Sequence, residues 1–318
     1  MNSNLFIVIA ASAVFYGTPL LFAAMGEVLT ERSGVLNLGV EGMMLLGAVA
    51  ASYISNTASG PGWLVLVLCL LGAMGAAACG ALIHAFAVIT LRVNQTVSGL
   101  ALTILAGGAG LSSYLASIWE LKDPATHQFG KLDVFGLKDL PILGPVIFHQ
   151  TMLTYLSWVL VVASTWYLFR TRAGLGLRAV GESPQTADSM GINVVRTRYT
   201  HTLVGGMFAG IAGAAYSLTI VPTWVDGMTS GAGWIAIALV IFGFWRPDLT
   251  MVGAYLFGAL QGLAPTLQAR GVDIPSAVLK SLPYLVTVVV LVIMSSGSAK
   301  RRLGAPAALG IPYEREER

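Results

Sequence analysis

The sequence predicts an all-α polytopic membrane protein with eight to ten transmembrane helices. Hydrophobic residues make up 56% of its 318 residues and charged residues only 10%. The mean hydropathy is +0.77, a value outside the range of ordinary water-soluble domains. Apolar runs of about 20 residues, the length that crosses a bilayer as a helix, recur along the whole chain. We therefore expect the chain to pass through a membrane many times.

Eight apolar segments are long enough, or nearly so, to span the bilayer. They are residues 5–26, 35–54, 63–91, 96–118, 151–169, 200–222, 249–268 and 277–295. A ninth apolar segment, 233–245, is short, so it is predicted to be a tilted, broken or re-entrant helix. If it crosses fully, the two ends of the chain lie on opposite sides of the membrane. The first segment has no basic residues before it and is interpreted as an uncleaved anchor in preference to a signal peptide.

A polar, charged stretch, residues 170–198, separates two of these segments and is typical of a docking element. Ser183 can cap a helix, Pro184 suits the first helical turn, and Gly191 can take the left-handed conformation that ends it. The pattern predicts about two helical turns that a partner protein can grip. The candidate docking residues are Arg178, Glu182, Ser183, Pro184, Gln185, Asp188 and Gly191.

The distribution of basic residues predicts which side this loop faces. Five arginines flank the docking element: Arg170, Arg172, Arg178, Arg196 and Arg198. Because short cytoplasmic loops carry an excess of Lys and Arg, the loop is predicted to be cytoplasmic and residues 119–150 external. The predicted organisation is a transmembrane domain, 1–298, with a cytoplasmic C-terminal tail, 299–318. The net charge of +3 reflects this basic edge, so no nucleic-acid partner is expected.

Two glycine-broken segments, 33–42 and 230–234, each open an apolar segment, one in each half of the chain. Non-helical backbone survives inside a membrane only beside protein or water. Transporters built from inverted repeats often place such interrupted helices along the substrate route. The corresponding positions of the two segments therefore predict inverted repeats.

Glu41 lies in the first broken segment and is the strongest candidate for a functional side chain. A carboxylate within a membrane span is costly unless it is paired, protonated or in contact with water. The predicted substrate-pathway residues are Asn37, Glu41, Asn94, Gln95 and Gln261, whose amides and carboxylate suit hydroxyl groups or base edges. Two alternatives stay open: Glu41 is a structural hydrogen-bonding group, and Asn94 and Gln95, close to Arg92, are interfacial.

Motifs of enzyme chemistry are absent from the sequence. It contains no G-x-x-x-x-G-K-[ST] phosphate loop, no H-E-x-x-H motif and no nucleophile with an obvious base. We therefore expect no catalytic residue, no metal site and no cofactor. A membrane protein with a docking helix and no nucleotide site is expected to take its energy from a separate ATPase subunit.

Three blocks of sequence resemble the permease subunits of ABC importers. They are E-R-S-G-V-L-N-L-G-V-E-G-M-M at 31–44, L-R-A-V-G-E-S-P-Q-T-A-D-S-M-G-I at 177–192, and W-I-A-I-A-L-V-I-F-G-F-W-R-P at 234–247. The resemblance is closest to the branch that serves nucleosides and simple sugars. It extends more distantly to ribose and branched-chain amino acid permeases.

This resemblance implies a non-catalytic translocation subunit in the cytoplasmic (inner) membrane of a bacterium or archaeon. The implied partners are an ABC ATPase, a second permease that completes a heterodimer, and an extracytoplasmic substrate-binding protein. Residues 182–191 would be the coupling helix that the ATPase holds. One alternative function is a branched-chain amino acid ABC permease. The other is a proton- or cation-coupled secondary transporter, and this second alternative would leave the docking loop without a role.

Overall fold

A computed structural model describes residues 3–107, 110–271, 275–294 and 304–315. Within these residues the secondary structure is helical, with one isolated β-bridge between Lys131 and Thr151. The helices are α1 Ser3–Arg32, α2 Val40–Thr57, α3 Gly62–Ala85, α4 Gln95–Ala106, α5 Leu111–Ile118, α6 Met152–Arg170, α7 Arg172–Glu182, α8 Pro184–Ser189, α9 Val194–Ala215, α10 Ala232–Phe242, α11 Pro247–Gln268 and α12 Ser276–Met294. The π-helical turns Phe86–Thr90 and Tyr216–Ile220 extend α3 and α9.

Among the described residues, five helical stretches are long and apolar enough to cross a membrane on their own. They are Leu5–Arg32, Gly62–Thr90, Gln95–Ile118, Met152–Arg170 and Val194–Ile220. The all-α polytopic membrane fold is thus confirmed. The helices α2, α10, α11 and α12 are not among these five. The predicted count of eight to ten spans requires at least three of these four to cross as well.

Three helix boundaries differ from the predicted ones. The first helix continues beyond Gly26 to Arg32, because the carboxylates of Glu27 and Glu31 find partners inside the protein. The second predicted segment becomes helical only at Val40. The fourth is divided into two helices, since α4 ends at Ala106 and α5 begins at Leu111.

Small residues let the long helices approach closely. On α9, a Cβ atom added at Gly210 would lie 2.4 Å from the Ala73 carbonyl oxygen of α3. On α11, a Cβ atom at Gly258 would lie 2.2 Å from the Ala13 carbonyl oxygen of α1. Lipid tails give no hydrophobic drive for helices to associate, so this close backbone contact holds the bundle together.

The bundle has two distinct ends. The end at Arg32 also holds Arg198 and Trp245, because Arg198 Nε donates to Ser33 O at 3.2 Å and Arg32 Nε donates to Trp245 O at 3.1 Å. We call it the basic end. Residues 119–150 cover the opposite end, where Ala125 N donates to Pro222 O at 2.8 Å. The 19-residue helix α6 separates these residues from α7 at the basic end.

The C-terminal residues 304–315 pack against the basic end, with Ala308 N donating to Gly181 O at 2.8 Å. The predicted domain boundary at 298/299 lies outside the described residues. So do the basic tail residues Lys300, Arg301, Arg302 and Arg318.

Candidate functional site

The non-helical segment 33–39 is held by side chains from neighbouring helices. Gln95 Oε1 accepts a hydrogen bond from Leu36 N at 2.6 Å, and His84 Nε2 lies 3.1 Å from Leu36 O. Thr103 Oγ1 donates to Leu38 O at 3.0 Å. Backbone polar groups inside a membrane protein must find such partners, and these side chains replace the missing helical hydrogen bonds.

The carboxylate of Glu41 joins the start of α2 to the start of α10. Its Oε1 accepts hydrogen bonds from Thr229 Oγ1 at 2.6 Å and from Gly231 N at 2.7 Å. Its Oε2 accepts from Gly233 N at 2.6 Å. A negative charge at a helix N-terminus is favourable, because the first N–H groups of the helix have no intrahelical partner. Glu41 thus brings together the two glycine-broken segments that the sequence analysis singled out.

Gly233 permits this contact because it has no side chain. A Cβ atom at this position would lie 2.6 Å from both Cα and N of Glu41, closer than real Cβ contacts. The neighbouring residue Gly231 has φ +78°, a conformation that glycine adopts without strain. The backbone of α2 can therefore lie directly against the first turn of α10.

The contact lies well inside the bundle. Helix α10 begins at Ala232, beside Glu41, and just past its other end Trp245 O accepts a hydrogen bond from Arg32 at the basic end. The 11 residues of α10 rise about 16 Å. This is about half of the roughly 30 Å hydrocarbon thickness of a bilayer. The Glu41 carboxylate consequently lies near mid-depth.

An open cleft of about 650 Å³ lies beside Glu41, a volume in the range of small-molecule sites. Its walls are formed by Glu41, Leu45, Thr103, Ile104, Gly107, Gly110, Gly227, Ser230, Gly231 and Trp234. The Trp234 side chain is 49% exposed and presents an aromatic face. Among the described lining residues, Glu41 is the one charged group. The cleft can therefore offer hydroxyl and backbone hydrogen bonds with a stacking surface.

The docking element at the basic end has the local geometry predicted for it. Ser183 Oγ accepts from Thr186 N at 3.4 Å, Pro184 occupies the first turn of α8, and Gly191 has φ +84°. The element is two helices, since the extended backbone of Ser183 separates α7 from the six-residue α8. Helix α7 was not predicted as a separate element.

One face of the docking element is buried and the other is open. Val180, Ala187 and Val194 form a small apolar cluster beneath α8. On the outer face Gln185 is exposed, and just beyond α8 the Met190 side chain is 79% exposed. The cluster fixes α8 in place while its polar face stays accessible to a partner.

The family model described as "Branched-chain amino acid transport system / permease component" matches residues 9–295. The chain belongs to this permease family. It is therefore a membrane transport subunit. As a permease component, it is one part of a larger transport system.

Three relatives resemble this permease over nearly its whole length. The guanosine ABC transporter permease protein NupQ of Bacillus subtilis is 38% identical over 98% of both chains. The nucleoside ABC transporter permease protein NupC of Lactococcus lactis is 35% identical over 96% of both. TsgC13 of Haloferax volcanii, named provisionally as a glucose ABC transporter permease protein, is 39% identical over 94% of this chain and 95% of its own. No solved structure matches the permease.

Of the five predicted pathway residues, Glu41 is the one that lines the cleft. Asn37, within segment 33–39, and Gln95, which accepts a hydrogen bond from this segment, are both buried. Asn94 caps α4, its Oδ1 accepting from Val97 N at 3.1 Å. Gln261 lies near the buried Tyr216 side chain, close to Glu41. For all five residues the pathway role stays a prediction.

The docking role of the predicted residues likewise stays a prediction. These residues differ from one another in their surroundings. Gln185 is exposed on α8, and Asp188 is partly covered by Arg315 at 3.5 Å. Arg178 stacks over the Phe169 ring at 5.3 Å, which suggests an anchoring contact. Glu182 Oε2 accepts from Ala307 N at 3.4 Å.

Glu27 is a buried polar residue of the permease that the sequence reasoning missed. Its Oε1 accepts from Asn37 Nδ2 at 2.8 Å, which fixes the amide that in turn accepts from Gly39 N at 3.1 Å. The available signal was the spacing of Glu27 and Glu31, which places both on one face of a helix. The apolar run of the first predicted span ends at Gly26, so hydropathy alone does not include Glu27 in that span.

Proposed function

We propose that this permease is the membrane-spanning subunit of an ATP-driven ABC importer for nucleosides or simple sugars. The observation that carries the proposal is the capped helix α8, whose inner face is packed on the bundle while its outer face stays open. An exposed rigid element joined to the helices is suited to receive force from an ATPase subunit. The permease itself supplies no catalytic step.

The charge distribution supports a cytoplasmic position for α8. Arg32, Arg198 and Arg246 lie at the same end of the bundle as the docking element. The positive-inside rule assigns this end to the cytoplasm, in the inner membrane of a bacterium or archaeon. Residues 119–150 would then face outward and meet the extracytoplasmic binding protein.

The position of the cleft supports a second permease subunit. The cleft opens on the surface of the chain beside Ile104, whose side chain is 76% exposed. A route for a polar substrate has to be screened from lipid, and a second permease placed against this face would do so. We expect the second subunit to be a different chain, so that the pair is a heterodimer.

The chemistry of the cleft supports a neutral, hydroxyl-rich substrate. Trp234 offers a face for stacking on a base or a sugar ring, and Ser230 offers a hydroxyl group. The family description favours branched-chain amino acids as the second candidate. A zwitterionic amino acid needs partners for two opposite charges, and the Glu41 carboxylate already accepts three hydrogen bonds. A proton- or cation-coupled transporter would have to break those same bonds in each cycle.

The proposal is tested by the ATPase activity of the complete complex in liposomes. With the binding protein present, a nucleoside or a simple sugar should stimulate ATP hydrolysis and leucine should not. Stimulation by leucine alone would transfer the assignment to the amino acid branch. Failure of the permease to co-purify with an ATPase subunit would overturn the proposal altogether.

A further inference from the structure

We infer that residues 304–315, which we call the C-terminal strap, form one continuous docking surface with α8 and contact the ATPase subunit directly. This inference rests on the proposed function, because it takes α8 as the site where the ATPase binds. It adds a second element, far from α8 in sequence, to that interface.

The strap is bound to the basic end through its backbone. Ala308 N donates to Gly181 O at 2.8 Å, close to the start of α8. Gly310 N donates to Gly34 O at 3.2 Å, at the beginning of segment 33–39. The strap thus joins the docking element to the segment that leads to Glu41.

A buried arginine fixes the middle of the strap. The Arg198 side chain is 1% exposed, and it donates to Ser33 O at 3.2 Å and to Ile311 O at 3.1 Å. Burying a guanidinium is costly unless its N–H groups find acceptors. Since the strap supplies one of these acceptors, its position is built into the fold.

The end of the strap lies beside α8. The Tyr313 ring packs against the cluster of Val180, Ala187 and Val194, and Arg315 Nε lies 3.5 Å from Asp188 Oδ2. A groove of about 400 Å³ runs between the two elements. It is lined by Gln185, Thr186, Asp188, Ser189, Tyr313, Glu314 and Arg315.

The shape and charge of this groove identify the occupant as the ATPase. Helix α8 and the strap form its two walls, so a protein that grips the exposed face of α8 also meets Arg315, whose side chain is 73% exposed. The groove carries both signs of charge, which suits a polar protein surface and not lipid. Glu314 also pairs with Arg92 at 2.9 Å, so the strap connects the docking surface to the loop before α4.

Site-specific photo-crosslinking in membranes that contain the complete complex tests the inference. The photoreactive residue benzoylphenylalanine is placed at position 185 on α8, at position 315 on the strap, or at position 131 at the opposite end as a control. All three positions are exposed, so the substitutions leave the packed bundle unchanged. We expect crosslinks to the ATPase from 185 and 315 at comparable yield, with only background from 131.

The possible results separate this inference from the proposed function. Crosslinks from both 185 and 315 support it. If position 185 crosslinks to the ATPase and position 315 gives only background yield, the strap contact is wrong and the docking role of α8 is retained. Background yield from both positions overturns the docking role itself, and the strap inference with it.

Discussion

The Glu41 carboxylate lies 2.6 Å from the backbone N of Gly233, and this contact joins the two halves of the permease. Glu41 is at the start of α2 and Gly233 is at the start of α10. The two helix N-termini therefore meet near mid-depth of the bundle, beside an open cleft. Inverted repeats, in which two interrupted helices face a common site, stay a prediction with which this arrangement agrees.

Replacing Glu41 tests whether its hydrogen bonds hold this junction. Glu41→Gln puts an NH2 group where one carboxylate oxygen accepts from a backbone N–H, so one buried donor loses its acceptor. We expect a loss of about 1–3 kcal/mol in stability, seen as a lower melting temperature of the purified complex. Glu41→Ala removes both acceptors and should cost more. Melting temperatures equal to that of the wild type for both variants would show that the junction does not depend on the carboxylate.

Gly233→Ala tests the close approach of α2 and α10. The new Cβ atom would lie 2.6 Å from the Glu41 backbone, so the helices must separate. We expect a large drop in folded protein on size-exclusion chromatography. Gly75→Ala in α3 is the matched control, since its Cβ atom would meet nothing within 4 Å and alanine favours helix. Equal yields of the two variants would contradict the predicted clash.

The cap of α8 can be removed without disturbing the bundle. Ser183→Ala together with Pro184→Gly removes the cap and the fixed backbone of the first turn, at a cost of about 1 kcal/mol for the cap alone. We expect weaker co-purification of the ATPase subunit. Asn94→Ala, which removes the cap of α4, is the control and should retain the ATPase. If both variants recover the ATPase as well as the wild type does, the docking role of α8 is wrong.

Cysteine labelling measures the sidedness of the two ends. Both Cys69 and Cys79 are free, and Cys79 is exposed, so the test needs a background that lacks them. A cysteine at position 131 should react with an impermeant reagent from outside, and one at position 185 only from the cytoplasm. Reaction of both positions from one side would be inconsistent with the topology.

Trp234 is expected to matter for substrate and not for assembly. Its side chain is 49% exposed in the cleft, so Trp234→Ala removes a stacking face with little loss of packing. We expect lower uptake at unchanged ATPase recovery, with partial retention in Trp234→Phe. Trp166→Ala is the control, because Trp166 is 62% exposed and lies on α6, outside the cleft lining. Equal uptake by the Trp234 and Trp166 variants would remove Trp234 from the substrate route.

The sequence predicted the parts of the structure that depend on local chemistry. Hydropathy identified the apolar helices, and Ser183, Pro184 and Gly191 marked the ends of α8 because each favours one backbone conformation. The role of Glu41 depended on tertiary contact. Its observed donors come from Thr229, Gly231 and Gly233, almost 200 residues along the chain, so the residues around Glu41 give no sign of them.

Two other features could not be found by local reasoning. The spacing of Glu27 and Glu31 places both on one helix face, but it does not predict that Asn37 folds back to donate to Glu27. The C-terminal strap has little apolar pattern, and its position depends on Arg198 and on the backbone of Gly34 and Gly181. Such contacts between distant residues leave no periodic signal in the sequence.

Uptake into proteoliposomes that contain the complete complex and the binding protein, with ATP supplied on the α8 side, tests the proposed function most directly. This function predicts that a radiolabelled nucleoside or simple sugar accumulates only when ATP is present, and that an imposed proton gradient without ATP gives no uptake. Accumulation driven by the gradient alone, or ATP-driven accumulation of leucine in place of nucleosides and sugars, would contradict it.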